Sequence, residues 1–114
     1  VFLDTRGWFY ESYSARNMEA LGIIDVFVQD NHSYSIKKGV IRGLHYQAPP
    51  FDQSKLVRCT RGRIYDVAVD VRHGSPNYAK WFGVELSAMQ AGPTGRMSST
   101  LQLCAPKTAS ISRT

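Results

Sequence analysis

The sequence predicts an all-β domain with one short helix, and three observations predict it. From Ile64 to Arg72 the odd positions are Tyr65, Val67, Val69 and Val71, while Asp66, Asp70 and Arg72 fall on the even ones. That period of two gives a strand with one apolar and one partly polar face. The apolar runs are short, closely spaced and separated by Gly, Pro, Asn and Ser, which supply turns. Only residues 14–21 show a helical pattern. Short strands with such turns argue for a sandwich, a barrel or a jelly roll. A chain of 114 residues and 12.8 kDa has room for one domain.

In chain order, Phe2-Leu3 and Gly7–Glu11 read as edge strands around a turn. Ser14 can cap a helix over 14–21 on which Met18 and Leu21 share a face, and Gly22 can end it. Ile24–Gln29 reads as a strand with Ile24, Val26 and Val28 on one face. Ser54–Thr60 is a further strand, joined to Ile64–Arg72 by a hairpin-like Thr60-Arg61-Gly62 connection. His73-Gly74-Ser75-Pro76-Asn77 is turn chemistry, and Trp81–Leu86 is the next strand. The chain changes character near Ala88. Every Phe, Trp and Tyr lies before it, and residues 89–114 are rich in Ser and Thr without clear periodicity. The expectation there is a flexible, low-complexity terminus.

Composition excludes several classes. At 43% hydrophobic and 20% charged, the chain is neither disordered throughout nor collagen-like. No stretch approaches the roughly 18 apolar residues of a bilayer span, so no membrane association is expected. More than half of the net +5 comes from Arg96, Lys107 and Arg113, too widely spaced for a nucleic-acid surface. The start, Val1-Phe2-Leu3-Asp4, lacks a signal peptide's basic and apolar regions, and it lacks a Met, so the sequence is expected to begin inside a longer one. Cys59 and Cys104 are too few for a disulfide scaffold, which favours a reducing cytoplasm. No Gly-rich loop opens a helix, which argues against nucleotide-cofactor folds. His32, His45 and His73 lack ligand spacing, so no metal is expected.

The segment Gly39–Pro50 places Arg42, His45 and Gln47 close together on a strand. On a regular strand His45 and Gln47 share a face and Arg42 points the other way. A bulge at Gly43 would bring Arg42 round to the same side. With Lys55 on the following strand, a neutral His among cations suits proton abstraction beside a carbonyl, the cations stabilising the enolate. A half-exposed strand histidine among scattered surface cations is the plainer reading. Arg6 and Glu11 flank aromatic residues and read locally as a surface ion pair on a turn. Gln29, Asp30 and Asn31 open a polar run that reads locally as a loop.

Five motifs in one order change that picture: Asp-x-Arg-Gly-x-Phe-x-Glu from Asp4, Gln-Asp-Asn-x-Ser from Gln29, Gly-Val-Ile-Arg-Gly-Leu-His-Tyr-Gln from Gly39, Lys-Leu-Val-Arg from Lys55, and Asp-Val-Ala-Val-Asp-Val-Arg-x-Gly-Ser-Pro from Asp66. Together they resemble the dTDP-4-dehydrorhamnose 3,5-epimerase family over about Asp4 to Ala88. The resemblance implies a cupin-type β jelly roll and a cofactor-free, metal-free homodimer. It implies an isomerase that inverts C3 and C5 of dTDP-4-dehydro-6-deoxy-glucose, each acidified by the C4 ketone, for dTDP-rhamnose and polysaccharide biosynthesis. It makes His45 the general base and Lys55 the stabiliser of the enolate oxygen. It makes Arg42 a contact of the substrate diphosphate, and Arg6, Glu11, Gln29, Asp30 and Asn31 substrate-binding residues. Residues 35–39 look one residue longer than the family spacing, which a loop tolerates.

After Ala88 the family continues with a segment like Arg-Gln-Leu-Trp-Ile-Pro-x-Gly-Phe-Ala-His-Gly-Phe and then further strands. That continuation carries a Tyr general acid, an Asp that orients the base, a substrate-binding His and an aromatic that stacks on thymine. Residues 89–114 hold no Tyr, His, Asp or aromatic residue. The expected organisation is therefore an incomplete, N-terminal portion of the jelly roll over 1–88 and a non-family tail over 89–114, such as a frameshift product. A jelly roll short of strands would leave edges open and be prone to aggregation. A non-catalytic sugar-nucleotide binder and an epimerase of a single carbon remain the alternatives.

Overall fold

The computed structural model describes residues 1–88 and the backbone of four strand segments beyond them, Gln90–Ala91, Met97–Ser98, Leu101–Cys104 and Thr108–Arg113. The chain order is β1 (Phe2–Asp4), β2 (Gly7–Phe9), α1 (Ala15–Ala20), β3 (Ile41–His45), β4 (Lys55–Arg58), β5 (Arg63–Asp70), β6 (Trp81–Ser87), β7 (Gln90–Ala91), β8 (Met97–Ser98), β9 (Leu101–Cys104) and β10 (Thr108–Arg113). The all-β expectation with one helix holds.

The local rules act where they were read. β1 and β2 form an antiparallel hairpin around the Asp4–Gly7 turn. Ser14 caps α1, its hydroxyl accepting from the Asn17 amide at 3.4 Å, and Gly22 at φ 80° ends the helix in a conformation that favours glycine. β5 and β6 pair antiparallel over seven positions, Arg63 to Val69 against Ser87 to Trp81. Gly83 lies under the Tyr65 ring, where an added Cβ would fall 2.7 Å from Tyr65 Cζ.

Three expectations are corrected. β4 and β5 do not form a hairpin: β4 pairs with β9, while β5 pairs with β6 and β10. Gly62, at φ 73°, turns the chain from one sheet into another. Ile24–Gln29 is not a strand, and Ile24, Val26 and Val28 are about four-fifths exposed. The alternating apolar pattern is there, but a strand also needs a ladder partner, and none is seen among the described residues. The tail is not patternless, because it supplies β7 to β10. β10 sits inside a four-stranded sheet of order β3-β10-β5-β6, and β9 covers β4.

The even, partly polar face of β5 holds its most deeply buried residues. Asp66 and Asp70, on the polar face, are buried, whereas Tyr65 on the apolar face is exposed. Asp70 is held at the end of the strand by Arg72, with Nε to Oδ1 at 2.8 Å and Nη2 to Oδ2 at 2.6 Å, and by the Ser75 hydroxyl at 2.7 Å. The Arg72 guanidinium first, and the Ser75 hydroxyl next, keep its carboxyl well below the usual carboxylate range. The buried apolar set among the described residues is small: Leu86, which is fully buried opposite Ile64, and Cys59.

Candidate active site

The candidate site lies on one face of the β3-β10-β5-β6 sheet, and the register shows how it is assembled. On β10, Ser110 stands opposite His45 and Ser112 opposite Arg42, with a register shift between them. The β10 positions Ser110 and Ser112 are two residues apart, whereas their partners His45 and Arg42 are three apart. The extra residue on β3 is a bulge, and it puts Arg42 on the same side as His45. Gly43 supplies the backbone for it at φ 129°. On the other flank, Ser110 stands opposite Ala68 and Ser112 opposite Asp66. Arg42, His45 and Asp66 therefore share one face of the sheet.

Lys55 reaches this cluster from β4, in a separate sheet. Its ammonium donates to the His45 carbonyl at 2.9 Å and acts electrostatically on Asp66. Asp66 is 1% exposed, and its Oδ2 has no hydrogen-bond partner among the described residues. Burial pushes its carboxyl above the ordinary value, against the opposing pull of the Lys55 charge and the Val67 amide. An unpartnered buried carboxylate oxygen under the charge of a lysine from another sheet points to chemistry rather than packing. Asp66 was not among the residues nominated from the sequence. Its signal was an acid on the even phase of a strand whose odd phase is apolar.

Arg42 is exposed and is steadied by Ser35, whose hydroxyl accepts from Nε at 3.2 Å, and by the Tyr34 carbonyl at 3.2 Å. Arg6 is an exposed residue of the β1–β2 turn paired with Asp4 at 2.6 Å, not with Glu11. Its hydrogen bonds lower the Asp4 carboxyl. Glu11 accepts instead from Asn17 Nδ2 at 2.8 Å. Gln29 donates to Asn31 at 3.2 Å, and Asp30 is exposed beside them.

The structure brings His45, Lys55 and Arg42 together. It leaves Arg6, Glu11 and the Gln29–Asn31 run outside that cluster, with neighbouring residues making the links: Tyr34 and Ser35 to Arg42, and two contacts at and beside β4. The Arg58 guanidinium reaches the Tyr10 hydroxyl at 3.5 Å, and the Ser54 hydroxyl donates to Asp25. A cleft of about 1030 Å³ opens beyond His45, between Tyr46–Pro49 and Val71–Tyr78. No group of three or more His, Cys, Asp or Glu among the described residues could hold a metal ion. No helix there is long and apolar enough to cross a membrane.

Two substitutions test this geometry. Gly43→Val keeps the residue count of β3 but opposes the positive φ. We expect it to turn Arg42 away from His45, read as loss of the cross-peak between their backbone neighbourhoods and β10 in a nuclear Overhauser spectrum. Retention of both contacts would refute the bulge. For Asp66→Asn the sign follows from the raised carboxyl. Stability from this group is full below about pH 4 and is lost as pH rises through the raised value. Asn cannot ionise, so the variant should gain on the parent as pH rises above about pH 4. Melting curves from pH 4 to 8 measure it, and a variant that loses ground with rising pH would contradict the assignment.

The model of the dTDP-4-dehydrorhamnose 3,5-epimerase family matches residues 1–92. The curated dTDP-4-dehydrorhamnose 3,5-epimerase of Shigella flexneri is 57% identical over 89 residues, covering 77% of this chain and 49% of the relative. The crystal structure of dTDP-4-dehydrorhamnose 3,5-epimerase from Sulfolobus tokodaii superposes with a TM-score of 0.79 at 37% identity, over 98% of this chain and 58% of that one. The Legionella pneumophila dTDP-6-deoxy-D-glucose-3,5-epimerase, solved with dTDP-4-keto-L-rhamnose, gives a TM-score of 0.67 at 41% identity, over 96% and 58%. The chain spans about half the length of the curated relatives it matches.

Proposed function

The chain belongs to the dTDP-4-dehydrorhamnose 3,5-epimerase family, and from that membership we propose that it acts in the epimerisation of dTDP-4-dehydro-6-deoxy-glucose at C3 and C5 to dTDP-4-dehydro-L-rhamnose. The observation that carries the proposal is the Lys55 ammonium lying between the end of β3 at His45 and the buried Asp66 carboxyl. His45 removes the proton from C3 or C5, the C–H electron pair passes into the enolate, and Lys55 stabilises the charge on the C4 oxygen. The His45 carbonyl holds the ammonium in place, and Asp66 acts on it through its charge. Inversion is completed by a proton delivered to the opposite face of the same carbon. Residues 1–88 carry the proton-abstracting half.

Arg42 is assigned to the substrate diphosphate, and Arg6, Glu11, Gln29, Asp30 and Asn31 to the rest of the dTDP-sugar. The substrate class is supported by the product bound to the Legionella relative. The apolar face of Ile24, Val26 and Val28 supports a homodimer, since a second chain would cover it. The free Cys59 thiol, donating to the Arg61 carbonyl at 3.2 Å, fits a reducing cytoplasm. Residues 1–88 form the N-terminal part of the epimerase domain, and 89–114 a tail lying almost wholly outside the family match.

The chain incubated with dTDP-4-dehydro-6-deoxy-glucose in deuterium oxide should place deuterium at both C3 and C5, followed by proton NMR. Label at one carbon alone would replace the proposal with a single-carbon epimerase. No label above the buffer blank would leave a non-catalytic sugar-nucleotide binder.

A further inference from the structure

β3 carries Arg42 and His45, yet it is an edge strand whose one sheet neighbour among the described residues is β10. β5, which carries Asp66, lies on the other flank of β10. Lys55 sits on β4, in a different sheet, paired with β9. The groups of the site therefore come from strands that do not pair with each other: β10 joins β3 to β5, while β4 stays in its own sheet with β9. Residues 101–113 lie beyond the family match, which ends at residue 92. From this juxtaposition we infer that β10 is the positioning element of the site: it sets β3 in register with β5 and so fixes His45 and Arg42 relative to Asp66.

The register supports the assignment in detail. Opposite β5 the pairing of β10 is continuous from Thr108 with Asp70 to Arg113 with Tyr65. Opposite β3 it is interrupted between Ser110 and Ser112. The regular side anchors β10 to the rigid β5–β6 pair, and the interrupted side accommodates the β3 bulge. β10 is thus a template against which the irregular strand is set. An error of about 1 Å in such a placement can slow a reaction about 100-fold. The inference rests on the proposed proton abstraction for its catalytic consequence, while its structural content stands separately.

Ile111 occupies a register position opposite Val67, out of phase with Ser110 and Ser112. Ile111→Pro removes a backbone donor from a strand paired on both sides. In the full chain we expect amide exchange of residues 41–45 to quicken at least about tenfold, while residues 63–70 and 81–87 keep their protection. Deuterium wash-in to the dTDP-sugar should fall about 100-fold, and Ile111→Val should restore both. A second variant reads the register directly. Val69→Cys with Ala109→Cys joins cross-strand partners and should form a disulfide under mild oxidation, identified by peptide mass mapping.

Unchanged exchange at 41–45 in Ile111→Pro, or failure of the 69–109 disulfide to form, would overturn the inference. Loss of protection throughout β5 and β6 would overturn it too, since β10 would then be a general stabiliser. A parent chain without wash-in would remove the reaction but not this inference, which the amide protection and the disulfide decide on their own.

Discussion

Replacing His45 by Gln is expected to slow deuterium wash-in at C3 and C5 by about 10²- to 10⁴-fold while leaving the fold intact. His45 is the last residue of β3, its side chain is exposed, and its carbonyl receives the Lys55 ammonium at 2.9 Å. That hydrogen bond uses the backbone, so Gln retains it. Exposed positions without a cap or a buried partner usually change stability by no more than about 0.5 kcal/mol. Loss of exchange therefore reports loss of the base. The measurement is the decay of the two proton signals in deuterium oxide, with a melting curve of the same sample. A variant that exchanges as fast as the parent would remove His45 from the chemistry and return it to the plain surface histidine that its spacing alone suggested.

Leu86→Ala should destabilise the protein by about 2–5 kcal/mol. Leu86 is fully buried on β6 opposite Ile64, and Cys59 is the other buried apolar residue among those described. Removing a buried leucine side chain costs about 2–5 kcal/mol through lost transfer energy and the cavity left behind. Whole domains are stable by only about 5–15 kcal/mol. Phe2, Phe9, Trp81 and Phe82 are all more than three-fifths exposed, so they offer little reserve. Urea denaturation of parent and variant gives the difference. A change below about 1 kcal/mol, the scale of a surface substitution, would mean that the apolar centre lies elsewhere.

What could be read from the sequence was mostly local. Ser14 and Gly22 bound the helix, the Asp4–Gly7 turn makes a hairpin, and Gly43 marks a bulge, because each depends on a residue's own conformational range or on neighbours a few positions away. The failures share a different cause. Alternation gave the phase of β5 correctly but not its direction. Asp66 is buried under the charge of Lys55, and Asp70 is held by Arg72 and Ser75. Of these partners, Lys55 comes from another strand and leaves no trace in the periodicity. Ile24, Val26 and Val28 alternate well yet form no ladder, since a strand is defined by its neighbour. The tail shows the converse: weak patterning is enough where strands on both flanks supply the hydrogen bonds. In the candidate site, the motifs gave His45, Lys55 and Arg42 as a group, while Asp66 needed the sheet register to join them.

The bulge at Gly43 also has a consequence for chain length. With Gly43 present, Arg42 and His45 are an odd number of residues apart and need an irregular strand to face the same way. With Gly43 deleted they would be an even number apart, and an ordinary strand would achieve the same facing. A same-length replacement at this position conflicts with the backbone, whereas a shorter chain does not. A scan of single deletions across residues 41–45 should therefore find position 43 the most tolerated, and an aligned sequence with a gap there would still hold the arginine and the histidine on one side.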